Sequence, residues 1–257
     1  MKLSEDREEK YHIEHFTEID STNEEAKRRF SSGDTREQLL YADYQSAGKG
    51  RNGRSFYSPQ DTGIYLSYLF PNPGNEEVRE LIFVTTAAAV FVCEAVREVT
   101  GADASIKWVN DVYVAGRKVC GILAEVAYYR QVPGIVVGIG INLSTKDFPD
   151  EIKNTAAGIG DYSKEELMRI KAEILRRVGD GFHEFFTRFK DAAYRSNLIR
   201  RYRANSMVIG KPVTFYKNAD ERQTGVAKDI LEDGSLVVAT GDGDVILNSG
   251  EIHLSVI

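Results

Sequence analysis

The sequence has few cysteines, no excess of positive charge and no long apolar run. Its two cysteines, Cys93 and Cys120, are too few for a disulfide framework or a cysteine metal cluster, and they fit a reducing compartment. The net charge of −6 argues against nucleic acid as the main partner. The run from Leu81 to Cys93 is too short to span a bilayer, and residues 1–10 lack the apolar core of a signal peptide. These absences predict a soluble, cytoplasmic protein without a nucleic-acid or membrane partner.

A glycine-rich basic loop follows the apolar run 39–44. In the segment 48–54, three glycines are interleaved with Lys49, Arg51 and Arg54. Glycines let backbone N–H groups approach a ligand, and the cations add positive charge there, so the loop suits an anion. It lacks the spacing of a P-loop. The alternative interpretation is a basic hairpin loop that only faces solvent.

A polar helix start precedes this loop. Ser21 and Glu24 have the spacing of a capping box, as do residues 22 and 25, which predicts a helix that begins here. Ser21, Thr22 and Asn23 also offer adjacent donors and acceptors to a small polar ligand. A simple N-cap explains the same residues without a ligand.

Residues 106–125 are predicted to form two strands joined by a tight turn at 115–117. Lys118 opens a strand of Val, Ile and Leu, so its ammonium must reach a sheet edge, a carboxylate or a ligand. Asn110-Asp111 fits either turn chemistry or a ligand site. The next strand, 135–143, contains Gly138-x-Gly140, but no helix opens after it, which excludes a dinucleotide fingerprint.

The remaining pattern predicts an α+β protein of two domains. Strands are predicted at 11–16 and 63–70, and helices at 76–100, 163–190 and 192–204, with Gly179 and Gly181 kinking or interrupting the second helix. From Met207 onward, short alternating strands and Gly/Asp turns are typical of a small SH3-like β-barrel. We therefore predict a main domain at residues 1–206, with a mixed β-sheet and packed helices, and a C-terminal β-barrel at 207–257.

Across nearly its whole length the chain resembles the biotin protein ligases. Four motifs stand in the family's order, and the closing Gly250-Glu251-Ile252 fits the family's C-terminal domain. The resemblance implies that residues 1–206 form a catalytic domain of the class II aminoacyl-tRNA synthetase/biotin ligase type. It also implies the form of the family that lacks an N-terminal DNA-binding domain. The motifs are Ser21-Thr22-Asn23, Gln45 with Ala47 to Arg54, Lys107 to Asp111 with Lys118 to Gly121, and Gly138 to Asn142.

The chain departs from the family pattern at three positions. Lys49 stands where the family usually has Arg, and Phe56 stands where it has Trp, which changes the charge geometry and the ring size. Val109 stands where the family has Pro, which removes a rigid turn before Asn110 and Asp111. The sequence therefore defines the positions of the Asn110 and Asp111 side chains less well than it defines the rest of the site.

The resemblance implies a ligase reaction in two steps. Biotin carboxylate attacks the α-phosphate of Mg-ATP to give biotinoyl-5'-AMP and pyrophosphate. A lysine of a biotin carboxyl carrier protein, or of that domain in a biotin-dependent carboxylase, then takes the biotinoyl group. ATP and Mg²⁺ are the implied cofactors and biotin is the substrate. The assembly state stays open between a monomer and a homodimer.

Individual residues receive roles from the same resemblance. Lys118 and Arg51 are the implied catalytic residues, and Asp111 is the implied Mg²⁺ ligand. The implied ATP contacts are Arg51, Arg54, Phe56, Asn110, Lys118 and Asn142. The implied biotin contacts are Ser21, Thr22, Asn23, Gln45, Gly48, Lys49, Gly50, Arg51, Trp108, Lys118 and Gly121.

Two other functions compete with this one. A lipoate or octanoate ligase or transferase shares the fold class and the carrier partner, but its acyl group offers no ureido ring to the polar set of Ser21 to Asn23 and Gln45. A non-enzymatic module would capture an anion in the glycine-rich loop without chemistry. That module leaves Lys118 unexplained, because a lysine in an apolar strand needs a nearby anion.

Overall fold

A seven-stranded sheet forms the centre of the protein, whose computed structural model describes residues 10–71, 80–216, 221–248 and 252–254. Within these described residues, one helix packs on one face of the sheet and three helices pack on the other. The elements up to residue 205 are β1 (His12–Ile19), α1 (Thr22–Ser31), β2 (Gln38–Gln45), β3 (Gly63–Pro71), α2 (Leu81–Thr100), β4 (Ala104–Lys107), β5 (Asp111–Val114), β6 (Arg117–Tyr129), β7 (Val132–Asn142), α3 (Lys164–Thr187) and α4 (Ala192–Asn205).

The strand order of this sheet is β1-β2-β3-β7-β6-β5-β4. The pair β1–β2 is parallel, joined by the crossover helix α1, and the other pairs are antiparallel. The mixed sheet with packed helices confirms the predicted fold class. The strand 63–70, predicted to be apolar on both faces, is β3 in the sheet interior, and its residues 63–69 are buried.

The two faces of the sheet carry different cores. The larger core lies between the sheet and helices α2, α3 and α4, and α2 is buried over most of its length. The smaller core lies under α1 and is formed by Ala26, Phe30, Leu40, Leu69, Ala127 and Val136. Because α1 is short, it leaves part of its face of the sheet open, beyond its N-terminus. In the described part of the chain no helix is both long enough and apolar enough to cross a membrane.

The segment 106–114 departs from the prediction of one strand. It contains β4 and β5, which turn back on each other so that Lys107 lies opposite Asp111. The peptide bond between Trp108 and Val109, within this turn, is cis. The predicted turn at 115–117 is confirmed, with Ala115 at φ 49° and Gly116 at φ 75°.

Helix α3 begins at the predicted capping box and runs without a break past Gly179 and Gly181, so the predicted interruption there is wrong. Its two glycines allow close packing instead. A side-chain carbon at Gly179 would lie 2.3 Å from the Tyr11 hydroxyl, and one at Gly181 would lie 3.1 Å from the Phe91 ring. Helix α2 is described from Leu81, and residues 76–79 of the predicted helix 76–100 lie outside the described residues.

A second, five-stranded antiparallel sheet follows α4, as the short strands after Met207 predict. Its order is β11-β10-β9-β8-β12, and its buried side chains join the larger core. Arg203 of α4 binds the carboxylate of Asp229 at 2.8 Å and links the two parts of the chain. Gly250 and Glu251 of the C-terminal motif lie outside the described residues. The strands are β8 (Pro212–Tyr216), β9 (Arg222–Ile230), β10 (Leu236–Thr240), β11 (Gly243–Leu247) and β12 (Ile252–Leu254).

Candidate functional site

A cavity of about 350 Å³ opens on the α1 face of the large sheet, beside the N-terminus of α1. All predicted site residues line it except Gly48. A side-chain carbon at Gly48 would lie 2.6 Å from the Phe56 carbonyl oxygen and 2.7 Å from Ser58 Oγ, so this glycine serves the packing of the loop. The predicted residues that line the cavity are Ser21, Thr22, Asn23, Gln45, Lys49, Gly50, Arg51, Arg54, Phe56, Trp108, Asn110, Asp111, Lys118, Gly121 and Asn142.

Glycines form the floor of this cavity. Residues that lie directly opposite each other on neighbouring strands share one face of the sheet, and two such cross-strand rows make up the floor. A side-chain carbon at Gly138 would lie 2.1 Å from Asn23 Oδ1, and one at Gly140 would lie 2.3 Å from the Phe56 ring. Without these glycines, neither side chain could lie on the sheet. The two rows are Ser67, Gly138 and Leu123, and then Gly140, Gly121 and Asp111.

A buried cluster of amides and hydroxyls forms one part of the wall. The Oε1 atom of Gln45 accepts from the backbone N–H of Thr22 at 2.8 Å and from its hydroxyl at 3.1 Å. The Ser67 hydroxyl contacts Thr22 Oγ1 at 2.7 Å and also Asn23 Oδ1. Ser21 is the predicted N-cap of α1, because its hydroxyl accepts from the Glu24 N–H. The two residues after it belong to the hydrogen-bonded cluster in the cavity wall. Together these groups can bind a small ligand that both donates and accepts hydrogen bonds.

A β-bulge explains why Lys118 faces the cavity. Side chains alternate along a strand, so Lys118 and Gly121 would normally lie on opposite faces of β6. The β5–β6 register shifts between residues 112 and 113, and both residues 119 and 120 are fully buried in the core. The extra residue returns Lys118 to the same side as Gly121, where a side-chain carbon would lie 3.3 Å from the lysine Nζ.

The ammonium of Lys118 lies 2.6 Å from Asp111 Oδ1. The side chain of Lys118 remains one-third exposed, so it also faces the open cavity. The sequence predicted that this lysine lies near a sheet edge, a carboxylate or a ligand, and the structure shows a carboxylate. The Lys118 ammonium, balanced by the Asp111 carboxylate, therefore lies beside the glycine floor.

Asn110 is held from two sides despite the absence of proline before it. Its Nδ2 donates to the Ile122 carbonyl at 2.9 Å, and the Ile122 N–H donates back to the Asn110 carbonyl at 2.9 Å. Its Oδ1 accepts from Arg51 Nη1 at 2.9 Å. This last contact ties the glycine-rich loop to the far side of the cavity.

A second contact ties the same loop to helix α1. The ammonium of Lys49 lies 2.6 Å from Glu24 Oε1. Lys27, together with Lys49, holds the pKa of the Glu24 carboxyl below its usual range, because both ammonium groups bind that carboxylate. The loop thus spans the cavity between α1 and the β4–β5 turn.

Two oxygen atoms in the cavity suit a metal or a nucleotide. Among the described residues, Asn142 Oδ1 and Asp111 Oδ1 are buried without a hydrogen-bond partner, although the Asp111 oxygen has the Lys118 ammonium nearby. The described residues include no group of three or more His, Cys, Asp or Glu side chains that could hold a metal alone. Mg²⁺ is commonly held by one or two protein oxygens together with substrate phosphates, so these residues fit it.

The C-terminal sheet also contributes to the cavity. Ile252 of β12 lines it, and the buried Trp108 donates its indole N–H to the Gly234 carbonyl at 3.0 Å. Gly234 lies in the predicted Asp233-Gly234 turn between β9 and β10. Trp108 therefore lines the cavity while its ring is anchored from the C-terminal part of the chain.

Sequence reasoning missed a wall that comes from the loop after β7. The Lys118 N–H donates to the Thr155 carbonyl at 2.8 Å, and the Ala157 N–H donates to the Lys118 carbonyl at 2.9 Å. This pairing brings the loop over the cavity, and it joins residues too distant in sequence to leave a local signal. The lining residues without a predicted role include Lys107, Tyr113, Gly138, Gly140, Phe148, Ile152, Thr155 and Ala156.

Comparison with known proteins assigns the chain to a family. A model of the Biotin/lipoate A/B protein ligase family matches residues 16–142, and a model of the Biotin protein ligase C terminal domain matches residues 208–255. The chain is 30% identical over 241 residues to the Biotin--[acetyl-CoA-carboxylase] ligase of Mycobacterium tuberculosis, covering 91% of this chain and 86% of that protein. The chain belongs to the biotin protein ligase family.

Other relatives and solved structures agree with membership of the biotin protein ligase family. The Bifunctional ligase/repressor BirA of Bacillus subtilis is 29% identical over 255 residues, which cover 95% of this chain and 74% of that protein. The solved biotin protein ligase from Aquifex aeolicus in complex with biotin and ATP superposes with a TM-score of 0.76 at 28% identity. That match covers 95% of this chain and 99% of the other. The predicted family and its fold are therefore confirmed.

Proposed function

We propose that the protein activates biotin with ATP as biotinoyl-5'-AMP and transfers the biotinoyl group to a lysine of a biotin carboxyl carrier protein or domain. One observation carries the proposal. A single cavity places a buried amide and hydroxyl cluster next to the cations Lys118 and Arg51. Membership of the biotin protein ligase family supports it, as does the relative whose name specifies acetyl-CoA carboxylase as its target.

The amide and hydroxyl cluster suits the ureido ring of biotin. A cyclic urea offers two N–H donors and one carbonyl acceptor, and Asn23 Oδ1 with the neighbouring hydroxyls supplies complementary groups. Apolar groups that also line the cavity, such as Trp108 and Leu123, suit the valeryl chain. The carboxylate of biotin then extends toward Lys118.

The first step joins two anions, the biotin carboxylate and the α-phosphate of ATP. The carboxylate oxygen forms a bond to phosphorus while the bond to pyrophosphate breaks. Positive charge offsets the repulsion between the anions and stabilises the charge that develops in the transition state. Lys118 would contact both reacting groups, and Arg51 and Arg54 would neutralise the phosphates as the loop covers them.

Asp111 and Asn142 would hold Mg²⁺ through their oxygen atoms, and the ion would neutralise phosphate charge.

In the second step the lysine amine of the carrier attacks the acyl carbon of the mixed anhydride. A C–N bond forms, the bond from the acyl carbon to the phosphate oxygen breaks, and AMP leaves. The glycine-rich loop excludes water from the anhydride until the carrier arrives.

The proposed function is tested by incubating the protein with biotin, MgATP and a biotin carrier domain, followed by mass spectrometry of the carrier. A mass gain equal to biotin on one lysine is expected. Parallel reactions with lipoate or octanoate and their carrier domain test the competing function. Modification with lipoate or octanoate but not with biotin would replace the proposal, and no modification in any reaction would refute it.

Replacing Arg51 with Gly should produce an enzyme that leaks activated biotin. The variant loses the Arg51–Asn110 contact that ties the loop across the cavity, and it loses one cation near the phosphates. We expect biotinoyl-AMP formation to continue at weakened substrate affinity, while the adenylate leaves the enzyme faster. Biotin should appear on bystander proteins, which a streptavidin blot detects.

The matched control for this variant is Arg36→Gly, because Arg36 is exposed and pairs with Asp34 away from the cavity. The control should label no more bystander protein than the wild type. Equal labelling by Arg51→Gly and the wild type would contradict the role of the loop in retaining the adenylate.

Substrates should protect the glycine-rich loop from trypsin. Gly48 to Ser55 has few apolar anchors, so we expect the empty loop to open readily. Biotin and ATP supply anionic partners for Lys49, Arg51 and Arg54, and cleavage after these residues should slow when both are added. Cleavage after Arg130, in the β6–β7 turn, serves as the internal reference. Equal cleavage of the loop with and without substrates would mean that it is a fixed phosphate cradle.

A further inference from the structure

We propose that Glu125 is a positioning residue for biotin recognition. Its carboxylate fixes the amide group of Asn23 so that the carboxamide oxygen is presented to the ureido ring. This inference rests on the proposed function and extends it to a residue that does not itself line the cavity.

The contact between the two side chains determines which way the amide points. Asn23 Nδ2 lies 2.8 Å from Glu125 Oε2. An ionised carboxylate can only accept hydrogen bonds, so the atom of Asn23 that faces it must be the nitrogen. The carboxamide oxygen is thereby directed to the opposite side, where it meets the Ser67 hydroxyl.

Packing prevents the amide from leaving this position. Asn23 is 4% exposed, and its oxygen fills the space that a side chain at Gly138 would take. The charge of Glu125 is balanced from outside the cavity, because Lys27 Nζ lies 3.1 Å from its other oxygen, Oε1. Lys27 also pairs with Glu24, so the carboxylate that holds Asn23 belongs to a network anchored on α1.

The orientation matters because of the chemistry of a cyclic urea. A ureido N–H is a donor and needs an acceptor, which the carboxamide oxygen of Asn23 provides. If the amide were reversed, its NH₂ group would face the ureido N–H, and two buried donors would be left without acceptors. Loss of Glu125 removes the group that makes the reversed orientation unfavourable. Biotin affinity should therefore fall, while ATP binding should be unaffected.

A double-mutant cycle tests this role. Biotin dissociation constants are measured by calorimetry for the wild type, Glu125→Ala, Glu125→Gln, Asn23→Ala and the Asn23→Ala/Glu125→Ala double variant. The KM for ATP is measured in parallel. Glu125→Ala should bind biotin about tenfold more weakly, and the double variant should bind within about twofold of Asn23→Ala alone, since Glu125 acts through Asn23. Glu125→Gln keeps an acceptor oxygen and should recover most of the lost affinity.

Controls separate this inference from a general structural effect and from the proposed function. Glu25→Gln removes a different carboxylate, which lies on α1 and pairs with Arg28 and Arg29, and this variant should bind biotin as the wild type does. The positioning role would be overturned if the affinity losses of the two single variants multiplied in the double variant. It would also be overturned if Glu125→Gln bound biotin as weakly as Glu125→Ala. If Glu125→Ala melts too low to measure, the cycle is run with Glu125→Met, which fills more of the space but has no acceptor oxygen, and its loss must then vanish in the Asn23→Ala background. Failure of the wild type to bind biotin would instead refute the proposed function.

Discussion

Replacing Lys118 with Met should slow the formation of biotinoyl-AMP about a hundredfold, which corresponds to about 3 kcal/mol of transition-state stabilisation. Methionine keeps most of the length of the side chain but removes its charge and its hydrogen-bond donors. The loss should appear in kcat for adenylation, because the ammonium contacts the carboxylate and the α-phosphate most strongly as their bond forms. Single-turnover assays with labelled ATP, run without a carrier, measure this step directly.

The fold offers a matched control for this variant. Lys228 lies in strand β9 and binds Asp244 at 2.6 Å, the same separation as between Lys118 and Asp111. Lys228→Met therefore removes an equivalent strand lysine and ion pair far from the cavity. Because Lys118 is one-third exposed, both changes should lower the free energy of unfolding by about 1 kcal/mol or less. Normal adenylation by Lys118→Met would show that this lysine has no catalytic role.

The position of Lys118 illustrates what could be predicted from the sequence and what could not. A lysine in an apolar strand indicates a nearby anion, and the partner carboxylate of Asp111 confirms that reasoning. The face of the sheet that it occupies depends on the bulge in the β5–β6 pairing. A bulge is a property of two paired strands, so neither strand alone reveals it.

Local signals predicted most of the elements and failed where tertiary packing decides. The capping-box spacing at Ser21 and at Ser163 predicted two helix starts that the structure confirms, although the reciprocal box forms at Ser163 and Ser21 acts as a simple N-cap. The turn between β4 and β5 was not predicted, because residues 106–114 contain no glycine or proline and because Asn110-Asp111 fitted a ligand site as well as turn chemistry. Gly179 and Gly181 were expected to kink or interrupt α3, yet the helix continues because tertiary packing outweighs the cost of the two glycines.

The predicted site residues converge on one cavity because the motifs end at neighbouring positions of the sheet. Of the glycine floor, only Gly121 was predicted as a site residue. Gly138 and Gly140 were considered as a dinucleotide fingerprint, which was rejected, and as part of a family motif, but neither was given a role of its own. Their role becomes visible only when Asn23 and Phe56, distant in sequence, are found against the same strand.

Replacing Gly138 with Ala should reduce biotin binding while the protein remains folded. The new methyl group would lie 2.1 Å from Asn23 Oδ1, which is closer than two atoms can approach without a bond. The clash falls on the end of a side chain rather than on the backbone, so Asn23 can move away. Moving it breaks its hydrogen bonds to Glu125 and Ser67, and the free energy of unfolding should fall by about 1–2 kcal/mol.

The effect on the ligand should be larger than the effect on the fold, because the displaced Asn23 loses its contact with the ureido ring and also occupies space in the cavity. We expect biotin affinity to fall by about 10- to 100-fold, since each tenfold step corresponds to about 1.4 kcal/mol of lost binding. Calorimetry with biotin and a thermal melt of the same sample measure the two effects together. Gly241→Ala is the control, because a side chain there would meet nothing within 4 Å. If Gly138→Ala bound biotin as tightly as Gly241→Ala, the ureido ring could not lie against Asn23, and the amide and hydroxyl cluster would have to serve another part of the substrate.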